Sequence, residues 1–343
     1  MRILMVRLSS IGDLVHTLPV LSVLRRRFPD ATIDWLVETR HRDVLLSNPD
    51  VNELVEVDTF AWRKRLFAPS TWRAIAASIR EIRTRDYDVV FDFQGTIKSS
   101  VAARLAKSPR HVGFATSAIK EKAAGLFYSE QVSVNGQPQH VIDRHLRLLA
   151  AVEIDSGERC FPIVVPDAMN EAASENLASL GLSDYVILNP GASWATKRWG
   201  AENFGALAVA IENEWRLPSL VIWGPGEEDA ARRIVDSSGG SAKLAPATGV
   251  RDLIPYIRRA RLFVSGDTGP MHLASASGVP VVGIFGPTDP ARNGPFGTGD
   301  VVVWKNVPCS PCYKHRCPGY DEVCMTSIEV DDVLEAIRRR LPS

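Results

Sequence analysis

Short apolar runs recur along the chain, and the stretches between them place apolar residues every three or four positions, so strands and amphipathic helices alternate. Residues 2–8 (RILMVRL) read as a buried first strand, with Ser9-Ser10-Ile11-Gly12-Asp13 as the turn that leaves it. A helical pattern runs from Leu14 to about Phe28, with a kink or break expected at Pro19 and Pro29-Asp30 closing it. Residues 32–37 form a second strand and residues 50–57 hold a further short one. Ile75, Ile79 and Ile82 share one face of a helix over residues 72–84. Another strand, 89–93, is followed by Gln94-Gly95-Thr96 and a helix carrying Lys98. Such alternation predicts an α/β fold with a parallel sheet covered on both faces.

The pattern loosens over residues 153–167 (EIDSGERCFPIVVPD), which places a linker there and divides the chain into domains 1–160 and 161–343. A second alternation follows: strand 185–189, helix 204–214, strand 220–223, and a helix from Glu227. Residues 261–290 (RLFVSGDTGPMHLASASGVPVVGIFGPTDP) then spell a βαβ unit. Its strand covers 262–264, its small polar loop 265–269, its helix 271–277 with Pro270 at the first helical position, and its second strand 281–285. Val330, Val333, Leu334, Ile337 and Leu341 line one face of a last helix, free to pack back toward the N-terminal domain. Two αβ halves joined by a linker put a cleft between them.

Composition adds little to this picture. The 343 residues are 45% hydrophobic and 23% charged, as in ordinary globular proteins, and the 40 basic and 40 acidic side chains cancel. The balance argues against nucleic-acid binding. Residues 1–160 nevertheless carry 23 Lys+Arg against 19 Asp+Glu, which suits an anionic partner on that half. No apolar run is long enough to span a membrane, and Asp13 and His16 interrupt the N-terminal segment, unlike a signal peptide. Five cysteines without a disulfide framework fit a reducing, cytoplasmic location.

Several residues could carry chemistry. Asp13, just after a strand, could merely complement a helix dipole or act as a general base towards a hydroxyl. The segment Asn189-Pro190-Gly191-Ala192-Ser193-Trp194-Ala195-Thr196-Lys197-Arg198-Trp199 leaves a strand as small residues and ends in two cations. A lysine there is either solvated or placed to stabilise a departing diphosphate. Trp223-Gly224-Pro225-Gly226-Glu227-Glu228-Asp229 puts acidic residues in a first helical turn, ordinarily a capping and dipole effect. No G-x-G-x-x-G opens either half, so a nicotinamide cofactor has little support. In the 265–269 loop, backbone N–H groups and the helix end make a diphosphate site plausible, although Gly266 and Gly269 could simply form a turn. His272 could satisfy a core hydrogen bond. Cys309, Cys312, Cys317 and Cys324, spaced x2, x4 and x6, could ligate structural zinc or an iron–sulfur cluster, or form a loop of free thiols. Cys160 reads as a buried apolar side chain.

The D-T-G-x-x-H block at 267–272, the RLSSIGDLVHTLP stretch around Asp13, the Lys197–Trp199 loop and Glu228 together resemble glycosyltransferase family 9, the bacterial heptosyltransferases. The resemblance covers nearly the whole chain. It implies a GT-B fold, two Rossmann-like domains with parallel sheets facing across a cleft, the first binding the acceptor and the second the nucleotide-sugar. It implies that Asp13 is the base, that Lys197 contacts the donor, and that Ser193, Glu228, Asp267, Thr268, Gly269 and His272 complete the donor site. Glu228 would take ribose hydroxyls and Asp267 sugar hydroxyls, which a carboxylate accepts well. Arg63 and Lys64 in AWRKRLF, Lys120, His140 and Arg144 occur in the order seen in the heptosyltransferase I branch, where such groups hold the carboxylates of Kdo.

The activity so implied is inverting transfer of L-glycero-D-manno-heptose from ADP-heptose to Kdo–lipid A, the lipopolysaccharide inner core. It implies a monomer working at the cytoplasmic face of the inner membrane, with no cofactor required. The cysteine cluster is similar instead to the heptosyltransferase II branch, so that acceptor is an alternative. An NAD-dependent oxidoreductase and a non-catalytic nucleotide-sugar-binding protein are the alternatives outside the family's chemistry.

Overall fold

Each apolar run becomes a strand of a parallel sheet. The structure, a computed structural model, describes residues 1–134, 140–154 and 158–341. Contacts divide the chain into two units, Met1–Val164 and Val165–Ser343.

The first unit holds β1 (Arg2–Val6), β2 (Thr32–Glu38), β3 (Glu53–Val57), β4 (Val89–Asp92), β5 (His111–Phe114) and β6 (Glu130–Val132). They pair in the order β3-β2-β1-β4-β5-β6, every pair parallel. β1 lies at the centre, with Leu4 opposite Asp34 on one side and Val90 on the other. Ile3, Leu4, Met5 and Val6 are all fully buried, so both faces of the strand are covered, as a parallel sheet requires. On one face Leu4, Val6, Leu36, Val55 and Val90 pack with Ile82 and Ala103 of helices Pro69–Thr84 and Ile97–Leu105. Each such aliphatic side chain contributes about 1.5–3 kcal/mol relative to exposure.

The helical pattern from Leu14 to Phe28 resolves into two helices, Ile11–Val15 and Leu18–Arg27. The break falls at His16 and Thr17, ahead of Pro19. Pro19 occupies the first turn of the second helix, where its missing N–H costs nothing.

The second unit holds β7 (Val186–Asn189), β8 (Ser219–Val221), β9 (Ala242–Leu244), β10 (Leu262–Gly266), β11 (Val281–Phe285) and β12 (Val301–Trp304). Their order is β12-β11-β10-β7-β8-β9, again all parallel. Counted from its own first strand, this sheet repeats the connectivity of the first, 3-2-1-4-5-6, the Rossmann order. Val186, Leu188, Leu262 and Val264 pack against Phe204, Leu207 and Ile211 of helix Ala201–Trp215 and Val333, Leu334 and Ile337 of helix Val330–Arg338. The last helix thus buries its predicted apolar face against the second unit's own core. Among the described residues no helix is long and apolar enough to cross a membrane.

Both sheets reverse direction of growth between their first and fourth strands. Loops leaving the carboxyl ends of those two strands diverge, and the crevice between them is where open α/β sheets bind ligands. In the first unit those loops follow β1 and β4; in the second they follow β7 and β10.

Candidate functional site

In the second unit, the loops after β7 and β10 interlock. Ser265 of β10 lies in register with Asn189 of β7. The Asn189 amide donates to Ser265 Oγ at 2.9 Å and to Thr268 Oγ1 at 3.0 Å. Gly266 ends β10 and has no room for a side chain, because the Lys197 carbonyl oxygen crosses it: a Cβ there would stand 2.8 Å from that oxygen. The β7 loop is anchored beyond Lys197 by buried Trp199, whose indole donates to the Ile328 carbonyl at 2.8 Å. Thr196 fastens it further by donating to the Lys314 carbonyl at 2.9 Å.

Asp267 is the hub of this arrangement. Its buried carboxylate accepts from Lys197 Nζ at 2.6 Å, from Thr288 Oγ1 at 2.8 Å, and from His272 Nε2 at 3.3 Å. Burial alone would raise its pKa. The His272 hydrogen bond and the Lys197 charge overcome that and hold it well below the usual carboxylate range. Lys197 also lies 4.5 Å over the Trp194 ring, a cation–π contact, with its side chain 12% exposed. Thr268 caps helix Gly269–Ala276, its hydroxyl accepting from the Met271 N–H, and Pro270 occupies the helix's second position. Thr268, Gly269 and Pro270 stay partly accessible, so the positive end of the helix opens beside the lysine. A lysine and a helix N-terminus at one strand end are the kinds of group that hold a diphosphate.

Ser193 is exposed on the β7 loop, and Glu228 begins helix Glu228–Ser237. Glu228 pairs with Arg232 on the surface and lines a cavity of about 530 Å³ at the ends of β8 and β9, together with Trp223, Leu244 and Ala245. Its neighbour Glu227 faces the β7 loop instead. Glu227 accepts from the Gly224 N–H at 2.9 Å and lies so close to Gly191 that a Cβ there would meet its carboxylate at 2.0 Å. His272 makes the core hydrogen bond expected of it: it is buried, stacked on Phe296, and bonded to Asp267.

In the first unit, Asp13 does cap its helix. Its Oδ2 accepts from the Ser10 N–H at 3.0 Å and the Ser10 hydroxyl at 2.8 Å. Its Oδ1 is paired at 2.5 Å with Arg7, a buried guanidinium that also donates to the Phe93 carbonyl at the end of β4. Burial raises the Asp13 pKa, but Arg7 and the two Ser10 hydrogen bonds lower it further, leaving it below the ordinary value. The side chain is 35% exposed, so an ionised carboxylate reaches solvent at the strand end. Behind it lies His145, fully enclosed, with Nδ1 3.1 Å from Thr17 Oγ1. Burial and the Arg7 charge push the His145 pKa down to about 3, so the ring is neutral.

The cationic set lies on loops and helices that follow β3, β5 and β6, the same end of the sheet as Asp13. Arg63 and Lys64 are exposed in the last turn of helix Thr59–Lys64, with Lys64 Nζ 4.4 Å over the Phe60 ring. Lys120 is exposed, and Arg144 donates to the Ala118 carbonyl at 2.9 Å, which ties the 115–120 loop to helix Val141–Arg147. His140 caps that helix and meets the His16 ring edge-on. Lys98 is engaged by buried Glu38 at 2.8 Å.

Cys309, Cys312, Cys317 and Cys324 line one cavity of about 100 Å³ with Thr196 and Pro287. All are free thiols, as is Cys160. Among the described residues no group of three or more His, Cys, Asp or Glu is set to hold a metal ion. Sequence reasoning missed Thr288, Asn189, Arg7 and His145, although Thr288, Asn189 and Arg7 lay within segments already singled out.

A model of the family described as glycosyltransferase family 9 (heptosyltransferase) matches residues 75–320. Lipopolysaccharide heptosyltransferase 1 of Pseudomonas aeruginosa is 32% identical over 327 residues, covering 92% of this chain and 87% of that protein. Its namesake from Escherichia coli K12 is 28% identical over 308 residues, covering 88% and 93%. The solved E. coli heptosyltransferase WaaC with ADP superposes with a TM-score of 0.79 at 26% identity, covering 99% of this chain and 100% of that one. The E. coli heptosyltransferase II structure, at 18% identity and a TM-score of 0.72, shares the fold. Two parallel six-stranded sheets of this order are the GT-B architecture expected from the sequence. A match spanning most of the chain, and a relative this similar over nine-tenths of it, settle the assignment: the chain belongs to glycosyltransferase family 9, the heptosyltransferases.

Proposed function

We propose that this enzyme transfers L-glycero-D-manno-heptose from ADP-heptose to Kdo of the lipopolysaccharide inner core, with inversion. The observation that carries this reading is the Lys197–Asp267–Thr268 cluster at the end of β7 and β10, a cation and a helix N-terminus presented together. The P. aeruginosa and E. coli relatives bear the name heptosyltransferase 1, which supports a Kdo acceptor.

In this reading Asp13 removes the proton of the acceptor hydroxyl. The acceptor oxygen bonds to the anomeric carbon as the bond to the diphosphate breaks, through an oxocarbenium-like transition state. ADP departs as an anion. Lys197 and the N–H groups at Thr268–Gly269 take up the charge that develops on it. In the resting enzyme Asp267 neutralises Lys197; a diphosphate competes for the same ammonium, while Thr288 and His272 keep Asp267 in place. Asp267, Ser193 and Glu228 are assigned to hydroxyls of the donor, with the cavity beside Glu228 taking the nucleoside. Arg63, Lys64, Lys120, His140 and Arg144 are assigned to the Kdo carboxylates. Because protein groups supply the positive charge, transfer needs no divalent cation and continues in EDTA. The acceptor is lipid-linked, so the enzyme works at the cytoplasmic face of the inner membrane.

The test is an acceptor screen with ADP-heptose against Kdo–lipid A, with and without a first heptose. Transfer to the heptose-free acceptor is expected. Transfer only to the heptosylated one would replace this reading with heptosyltransferase II activity, and no transfer to either would overturn it.

A further inference from the structure

One surface of the first unit is unlike the rest. From Thr59 to Arg80 the chain contains five cations, Arg63, Lys64, Arg65, Arg73 and Arg80, and no aspartate or glutamate. All five are exposed. Among them stand large apolar side chains turned to solvent: Phe67 is 101% exposed, Trp72 60%, Leu66 48% and Phe60 48%. Single exposed apolar residues are ordinary; four aromatic or aliphatic side chains within one basic stretch are not.

The exposure is built in. The loop joining helix Thr59–Lys64 to helix Pro69–Thr84 is pinned by Thr71 Oγ1, which donates to the Arg65 carbonyl at 2.7 Å. Trp72 Nε1 donates to the Leu66 carbonyl at 2.9 Å. Both carbonyls are satisfied by side chains of the following helix, and Phe67, the next residue in the loop, stands fully in solvent. Lys64 and Arg40 lie over the Phe60 ring at 4.4 and 4.9 Å, so cations and ring form one amphipathic surface. Aromatic residues flanked by lysine and arginine suit the boundary between water and an anionic bilayer, where rings enter the headgroup layer and cations meet phosphates.

We propose that Phe67, with Leu66, Trp72, Arg65 and Arg73, docks this unit on an anionic lipid bilayer. The inference rests on the lipid-linked acceptor of the preceding reading and adds the surface that brings the enzyme to it. Docking is independent of Arg63 and Lys64 holding the acceptor sugar.

The experiment uses the full chain with vesicles of phosphatidylcholine alone, or containing phosphatidylglycerol, all without lipopolysaccharide. The wild type is expected to sediment with the anionic vesicles, and less so at high salt. Leu66→Ser/Phe67→Ser should weaken binding about tenfold or more, and Arg65→Gln or Arg73→Gln about fivefold each. Equal binding to both vesicle types, or a double variant that binds as wild type, overturns the proposal. A second readout compares transfer to a deacylated, water-soluble Kdo acceptor with transfer to the same acceptor embedded in anionic vesicles. The double variant should lose turnover only on the embedded acceptor; loss on both would overturn docking as the role of these side chains. A wild type that binds anionic vesicles yet heptosylates neither acceptor would leave docking standing and sink the assigned reaction.

Discussion

Replacing Asp267 by asparagine keeps the volume of the side chain and removes its charge. In the native protein the buried carboxylate serves Lys197, Thr288 and His272 at once. Asparagine can accept from one or two of these donors, but its amide hydrogens then face a remaining donor, and Lys197 loses its counterion. Breaking one partner of a buried ion pair typically costs about 3–5 kcal/mol. Lys197 keeps 12% of its side-chain surface, so water reaches the orphaned ammonium and the low end applies, about 3 kcal/mol. That is about a hundredfold in the unit's unfolding equilibrium. The loss should appear as a lower urea midpoint at pH 7 with little change in slope. The pH dependence has a definite sign. The Asp267 pKa is depressed in the folded state, so its contribution is fully present above the unfolded value of about 3.9 and is lost as pH falls towards the folded value. The gap between wild type and Asp267→Asn should therefore be constant from pH 5 to pH 8, by that linkage, and shrink below about pH 4. A variant as stable as wild type at pH 7, or a gap unchanged at pH 3, would refute the hub role assigned to this carboxylate.

Asp13→Ala should lower turnover by about 10²–10⁴, the usual worth of a general base, while ADP affinity measured by calorimetry stays as in wild type. Because Arg7 and Ser10 hold the Asp13 carboxyl below its ordinary value, the acid limb of the kcat/KM profile should lie below that of a free aspartate; Arg7→Gln should move it upward. Gly266→Ala drives a Cβ to 2.8 Å from a backbone oxygen of the Lys197 loop; the expected cost is about 1–3 kcal/mol in stability, with a raised KM for the donor. Burial and the neighbouring thiols push the Cys324 pKa up to about 11, so timed alkylation read by mass spectrometry should label it after Cys309, Cys312 and Cys317 at pH 8. Equal labelling would contradict that environment, and one bound metal per chain in elemental analysis would replace four free thiols with a ligand set.

The central strands were legible because they are buried on both faces: RILMV, VVF, LFV and VVGIF admit no polar alternation. β5, β6, β9 and β12 were not. β9 is three residues long with Lys243 exposed in its middle, and β5 opens with buried His111 and carries Gly113 against the Tyr128 ring, so neither shows a period. The candidate donor-side residues could be read where loop chemistry is compact, from Ser265 to His272. Thr288 could not, because a threonine in Pro-Thr-Asp-Pro looks like turn chemistry. It reaches Asp267 only because β11 runs parallel beside β10 and delivers its loop to the same strand end. Arg7 and His145 were hidden for a different reason. Their partner Asp13 depends on a contact from β1 to the end of β4 and on a helix 128 residues away from Thr17, distances over which periodicity carries no information.

The repeated topology places oppositely charged side chains at equivalent positions of the two units. Asp13 follows the first strand of its sheet, and Lys197 follows the first strand of the other. In the first unit an accessible anion is held by a buried cation, Arg7 to Asp13. In the second an accessible cation is held by a buried anion, Asp267 to Lys197. In both, the buried partner fixes the position of the more accessible one, and in the proposed reaction that accessible group is a base for a hydroxyl in one unit and a counterion for a leaving diphosphate in the other. If that division holds, exchanging the buried partner for a neutral isostere shifts the exposed group's behaviour without removing it. Arg7→Gln would then act on the pH profile of turnover and Asp267→Asn on stability and donor affinity. Identical effects of the two substitutions on one parameter would show that the units do not divide the chemistry in this way.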